Sequence, residues 1–201
     1  TQDEMRSGLK LGLAKRDLVP GFCASGKRDI GAKRLMEFII NVAPGPIKAP
    51  AFRNVDGGEV PADSKAPTAL FVFKSVEPHL GEMTFFRGVS GRVAEGMELI
   101  NSKTGNKEKI SQLFAVAGKG RVKVTEMEAG DIGCTVKLKG TRTNQTLAAA
   151  GSGIEIEPIK FPEPRYRAAV RSVKTGEDEK LGELLNRAHF EDPTILVEDS
   201  K

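Results

Sequence analysis

From residue 68 to about 150 the chain alternates short β-type apolar runs with glycine-marked turns. TALFVFKSVE reads as a strand, then come EMTFFRGVSG, RVAEGMELI, KEKISQLFAVA, RVKVTEMEA, DIGCTVKL and TNQTLAA. Pro78-His79-Leu80-Gly81 reads as a loop and Thr104-Gly105-Asn106 as a turn. About six strands with close turns and no intervening helix predict a closed Greek-key barrel, whose closure removes unpaired edges. Phe71, Phe73, Phe85 and Phe86 are expected to fill one barrel core.

The flanks carry a different period. Residues 5–16 predict a weak amphipathic helix, and DLVPGFCAS a short buried strand with Pro20 at an edge or strand start. Gly31 to Ala43 places Leu35, Phe38, Ile39 and Val42 at helical spacing and stops before Pro44. Five prolines, at 44, 46, 50, 61 and 67, with Gly57-Gly58, make a linker of the next stretch. A second connector, 151–164, ends in FPEP. Then YRAAVRSV predicts a strand, GEDEKLGELLNRAHF a helix with Asp178 and Glu179 in its first turn, and TILVED another strand. Such a β-α-β piece is only half of a layered domain. The fold class is thus mainly β with α/β flanks, divided as 1–45, linker 46–66, barrel 67–150, connector 151–164 and a final piece 165–201.

Composition narrows the classes. With 201 residues, 39% apolar and 29% charged, the chain can bury a core, and wholesale disorder is excluded. A net charge of +4 permits a nucleic-acid partner without requiring one. Cys23 and Cys134 are far apart with no CxxC spacing, so they read as reduced buried thiols and no metal site is expected. No apolar run reaches membrane-spanning length, and the chain opens on no signal segment, which makes a cytoplasmic protein without a membrane partner the expectation. It starts at Thr1 in mid-pattern, as an excised piece would.

Three ordered segments carry a resemblance: VPGFCASGKRDIGAKRLMEFIINVAPGP, the run TFFRGVSGRVAEGMEL with INSKTGNKEKISQLF and AGDIGCTVKL, and FPEPRYRAAV with DEKLGELLNRAHFEDPT. Together they resemble bacterial elongation factor G, from the end of its GTP-binding domain through its second-domain barrel into its ferredoxin-like third domain. The resemblance implies the central fragment of a translational GTPase that docks on the ribosome, contacts small-subunit rRNA, and works as a monomer without DNA. GTP hydrolysis in the parent protein would drive translocation, with GTP and Mg bound there and no cofactor in this fragment. The loop matching Cys23-Ala24-Ser25-Gly26 lies against guanine in that family, which offers Ser25 and Gly26 as a guanine-loop remnant; a plain strand-to-helix turn is the alternative. Gly26 stands where the family usually has alanine.

No GxxxxGK[ST] loop and no NKxD motif occurs, so this fragment is expected neither to bind nor to hydrolyse GTP. His79 and His189 stand alone and suggest no catalytic triad. Basic residues cluster in the back half of the barrel, among them Lys103, Lys107, Lys109, Lys123 and Lys137. The RNA-binding candidates within that set are Lys139, Arg142, Lys119 and Arg121, with a solvated rim as the competing reading. Ribosomal-protection proteins and release-factor-three-like GTPases share this barrel. A stand-alone RNA-binding barrel without enzymatic activity is the alternative from another class.

Overall fold

The computed structural model describes residues 1–76, 82–118, 120–173 and 176–198. Lys119, His79 and the expected loop at 78–81 lie outside the described residues. The chain divides into two compact units, Thr1–Ala51 and Phe52–Lys201.

In the first unit, helix α1 spans Gln2–Lys15. Thr1 and Glu4 cap its start reciprocally, satisfying backbone donors that the first turn leaves open. Arg16 ends it in the left-handed conformation, with φ 62°. The expected strand over DLVPGFCAS is absent: Val19 is 93% exposed and Cys23 is exposed rather than buried. A strand needs a hydrogen-bonded neighbour, and the unit supplies none beyond a single bridge between Ser25 and Ile30. Helix α2 covers Ala32–Asn41, as its apolar spacing predicts. Phe38 meets Phe22 edge to face at 4.9 Å between ring centres, and Val42 is buried. Leu35 and Ile39, expected to pack, are surface residues.

The second unit opens where a linker was expected. Strands β1 (Phe52–Arg53) and β2 (Glu59–Val60) pair as a small hairpin inside the proline-rich stretch. Its turn is closed by the Asp56 carboxylate, which accepts the Gly58 N–H at 2.8 Å. That bond, with a contribution from Asn54, holds the Asp56 carboxyl below the usual aspartate range. The hairpin pairs in turn with the segment read as a connector. Val55 N–H donates to the Glu155 carbonyl at 2.9 Å and Glu157 N–H to the Arg53 carbonyl at 2.8 Å. Both stretches are therefore part of the packed unit.

Ten strands follow: β3 (Ala69–Val76), β4 (Met83–Ser90), β5 (Arg92–Ala94), β6 (Glu98–Asn101), β7 (Lys107–Lys109), β8 (Leu113–Ala117), β9 (Gly120–Lys123), β10 (Glu126–Glu128), β11 (Ile132–Val136) and β12 (Gln145–Ala148). Eight of them form one antiparallel sheet in the order β7-β6-β12-β3-β4-β11-β8-β9, and β5 pairs with β10 as a separate ribbon. The sheet curls, because Leu70, Val72, Phe86, Leu99, Leu113 and Leu147 meet Val93 and Met127 of the ribbon in one inner core. Among the described residues no ladder joins β7 to β9, so the ribbon's side chains, not a final strand pair, complete the inner core. The fold is mainly β, as expected, with more and shorter strands than the pattern suggested.

The four phenylalanines do not share a core. Successive strand residues point to opposite faces, so Phe86 enters the inner core while Phe71 and Phe73 join Val60, Val89 and Ile156 in a second core against the hairpin. Phe85 lies partly exposed, 6.0 Å from the Lys74 ammonium. Arg87 Nε has no hydrogen-bond partner among the described residues, and the guanidinium covers the Phe52 ring at 5.1 Å. Gly91 adopts φ +69°, and a Cβ there would lie 2.6 Å from the Thr68 backbone, which is why the FFRGVSG turn requires glycine.

Helix α3, Asp178–Glu191, forms where the pattern places it, with Asp178 and Glu179 in the first turn. The strands expected on either side of it do not form among the described residues, and Tyr166 and Val173 are exposed. Their β-type composition has no neighbouring strand to pair with.

Candidate nucleic-acid interface

Lys107, Glu108 and Lys109 occupy β7 in strict alternation: the lysines are exposed and Glu108 is 2% exposed. A strand's period of two sends the carboxylate inward and both ammonium groups outward. Burying a carboxylate is costly unless donors surround it. Glu108 has them. One carboxylate oxygen accepts the Lys139 N–H at 2.9 Å; the other accepts the Gly140 N–H and the Thr141 hydroxyl, each at 2.9 Å.

The loop from Lys137 to Asn144 is therefore tied to β7 by its own backbone. Lys137 and Asn144, both left-handed at φ 62° and 74°, bend its two ends. Leu138 sits in the inner core. Beneath the loop, fully buried Asn101 donates to the Thr141 hydroxyl at 3.2 Å and to the Gln145 side-chain oxygen at 2.9 Å. Gln145 also accepts the Arg142 N–H at 2.8 Å. Asn144 accepts the Ile159 N–H at 2.6 Å and donates to the Ile159 carbonyl at 2.8 Å, fastening residue 159 alongside.

Charge is what this frame displays. KLKGTR, residues 137–142, has three cations and no carboxylate. Lys137, Lys139 and Arg142 are exposed, and none forms an ion pair among the described residues. The structure thus brings Lys139 and Arg142 together, with Lys107 and Lys109 on the strand that holds their loop. Arg121 stands apart on edge strand β9, its guanidinium 5.8 Å from the Phe114 ring centre and 3.4 Å from the Met83 sulfur. Lys123 pairs with Glu95 at 2.9 Å, which removes its charge from the free set.

Ser25 and Gly26 lie in the first unit, in a tight turn. Ser25 N–H donates to the Ile30 carbonyl at 2.9 Å and Ile30 N–H returns to the Ser25 carbonyl at 3.1 Å. A Cβ at Gly26 would meet nothing within 4 Å, so alanine would fit at this position.

Other chemistry is sparse. Burial pushes the Cys134 thiol above its usual range, against the opposing charge of Arg121. His189 Nδ1 lies 2.6 Å from the Ile195 carbonyl and serves the turn after α3. No group of three His, Cys, Asp or Glu residues suited to a metal exists among the described residues. No helix there is long and apolar enough to cross a membrane.

Sequence reasoning selected Lys139 and Arg142 but missed the frame of Glu108, Asn101, Thr141 and Gln145. The one available signal was the Lys-Glu-Lys alternation in a predicted strand, which puts a carboxylate where apolar residues belong.

Residues 67–150 match the family model described as elongation factor G domain 2. The chain is also similar in structure to a protein of Thermus thermophilus known from a crystal structure, with a TM-score of 0.78 at 24% identity. All of this chain is covered, against 29% of that chain, so the likeness speaks for the fold and spans under a third of the larger protein.

Proposed function

We propose that this chain, whose residues 67–150 match the model of elongation factor G domain 2, is the central portion of a translational GTPase whose barrel docks on RNA of the small ribosomal subunit. In this reading residues 1–45 close the GTP-binding domain, with Ser25 and Gly26 beside the guanine, and residues 165–201 open a third domain. GTP and Mg are bound by the parent's GTP-binding domain, and hydrolysis there drives translocation. The barrel docks, and the stretches 46–66 and 151–164, bonded to each other beside it, pass the nucleotide-dependent shift onward.

The observation that carries the docking is the loop 137–142, whose three exposed cations form no ion pair among the described residues while its backbone is held by the buried Glu108 carboxylate. Phosphate backbones are recognised by such positioned Lys and Arg groups, and the affinity so gained falls with salt. Arg121 and Lys119 are further candidate RNA contacts in this reading, outside the loop 137–142. The test is binding of isolated small ribosomal subunits by the encoded protein carrying Lys139→Glu and Arg142→Glu. Weakened binding, most marked at low salt, is expected, with the salt slope lower by about 0.7–0.9 per lost phosphate contact. Equal binding at every salt concentration would assign both residues to a solvated rim.

A further inference from the structure

Arg142 is held at two points. Its backbone N–H donates to Gln145 at 2.8 Å, and its guanidinium carbon lies 4.3 Å from the centre of the Phe190 ring, in the last turn of α3. This contact joins residues 48 positions apart in sequence, and nothing in either segment's local pattern announces it. A guanidinium stacked on an aromatic ring uses its π face, which leaves the five N–H donors in the plane of the fork free. Among the described residues that fork has neither a hydrogen-bond acceptor nor an ion-pair partner. Its backbone N–H is bonded, its guanidinium lies over an aromatic ring, and its donors have no partner among the described residues.

We infer that Phe190 is a positioning residue for a phosphate-binding fork at Arg142, so that helix α3 sets the geometry with which the barrel's basic loop grips a nucleic-acid backbone. A free arginine side chain loses much rotamer freedom when it binds a phosphate bidentately; one already stacked loses less. The stack therefore strengthens the phosphate contact without touching the phosphate. The coupling is also reciprocal: a phosphate that orders Arg142 steadies α3 against the barrel by the same factor. Displacing α3 would loosen the fork, which makes the position of this helix a control on docking. The inference rests on the docking reading given above.

The experiment is a titration of isolated small ribosomal subunits with the encoded protein carrying Phe190→Leu, Phe190→Tyr, Arg142→Gln or the first and third combined. Leucine keeps an apolar side chain against the barrel but has no aromatic face, so α3 stays packed while the stack is lost. Phe190→Leu is expected to weaken binding about two- to fivefold, the worth of an exposed cation–π contact. The salt slope should stay unchanged, since no charge is removed, whereas Arg142→Gln should lower it by about 0.7–0.9. Phe190→Tyr should bind like the wild type, and Phe190→Leu should have no effect once Arg142 is glutamine. Wild-type binding by Phe190→Leu while Arg142→Gln is weakened would overturn the inference and leave the docking reading standing. An equal loss from Phe190→Leu in the presence and absence of Arg142 would also overturn it, because Phe190 would then act through helix packing alone. If neither Arg142→Gln nor the Lys139→Glu, Arg142→Glu protein of the docking test weakens binding, the docking reading fails and this inference fails with it.

Discussion

Replacing Glu108 by glutamine probes the frame on which the basic loop depends. The substitution preserves volume at a site 2% exposed and alters one group. Three donors converge on the carboxylate: two backbone N–H groups and the Thr141 hydroxyl. Glutamine offers only one oxygen, so its NH₂ must face either Lys139 N–H or the Gly140 and Thr141 donors. At least one bond is lost, a donor meets a donor, and any surviving bonds become neutral. Hydrogen bonds to charged groups contribute about 1.5–3 kcal/mol each, and a buried unsatisfied group costs about 1–3 kcal/mol. With partial relaxation of an edge loop, a destabilisation of about 2–4 kcal/mol is expected. That is a large part of a domain stability of about 5–15 kcal/mol.

Urea unfolding followed by far-ultraviolet circular dichroism reads the loss as a lower midpoint at unchanged slope. Hydrogen exchange reads it locally, because the Lys139 and Gly140 amides should lose at least about tenfold of their protection, one factor of ten for each 1.4 kcal/mol. Glu59→Gln, at an exposed position of β2, serves as the control and should stay within about 0.5 kcal/mol of the wild type. A Glu108→Gln protein equally close to the wild type, with both amides still protected, would refute the view that this carboxylate organises the loop.

Gly91→Ala should destabilise by about 1–3 kcal/mol in the same urea assay, since φ is +69° and the new methyl meets backbone atoms, whereas Gly26→Ala should be nearly neutral. Wild-type stability of Gly91→Ala would mean that the FFRGVSG turn tolerates another geometry. A thiol reagent should label one cysteine of the native chain, Cys23, and both after denaturation, because Cys134 is buried. The Cys134 thiol is raised in the fold, so the unfolded chain ionises first as pH rises. Its contribution to stability is full below the ordinary thiol range and declines above it. Native labelling of Cys134 as fast as Cys23 would contradict its burial.

Local periodicity was enough to locate α2 and α3, the strand-rich barrel segment and the Thr104-Gly105-Asn106 turn, where Gly105 adopts φ +73°. These depend on residues within a few positions of one another, so composition and spacing record them. The order of the segments around FFRGVSG also carried the resemblance, and residues 67–150 match the model of elongation factor G domain 2. Pairing across long sequence distances was another matter. The proline-rich stretch near 52–60 became a hairpin because residues 153–157 lie beside it, about a hundred positions away. Phe71 and Phe86 parted to separate cores once the sheet's register fixed which face each one met. YRAAVRSV kept its β-type composition but formed no strand, since a strand exists only with a neighbour. The candidate site divides the same way. Sequence supplied the cations Lys139 and Arg142, because charge is legible residue by residue. The Lys-Glu-Lys alternation sets Glu108 on the face opposite its neighbours, but only the tertiary structure decided that it holds the cations' loop and that Phe190 lies under Arg142. Both contacts depend on how distant segments are folded against one another, which no local pattern encodes.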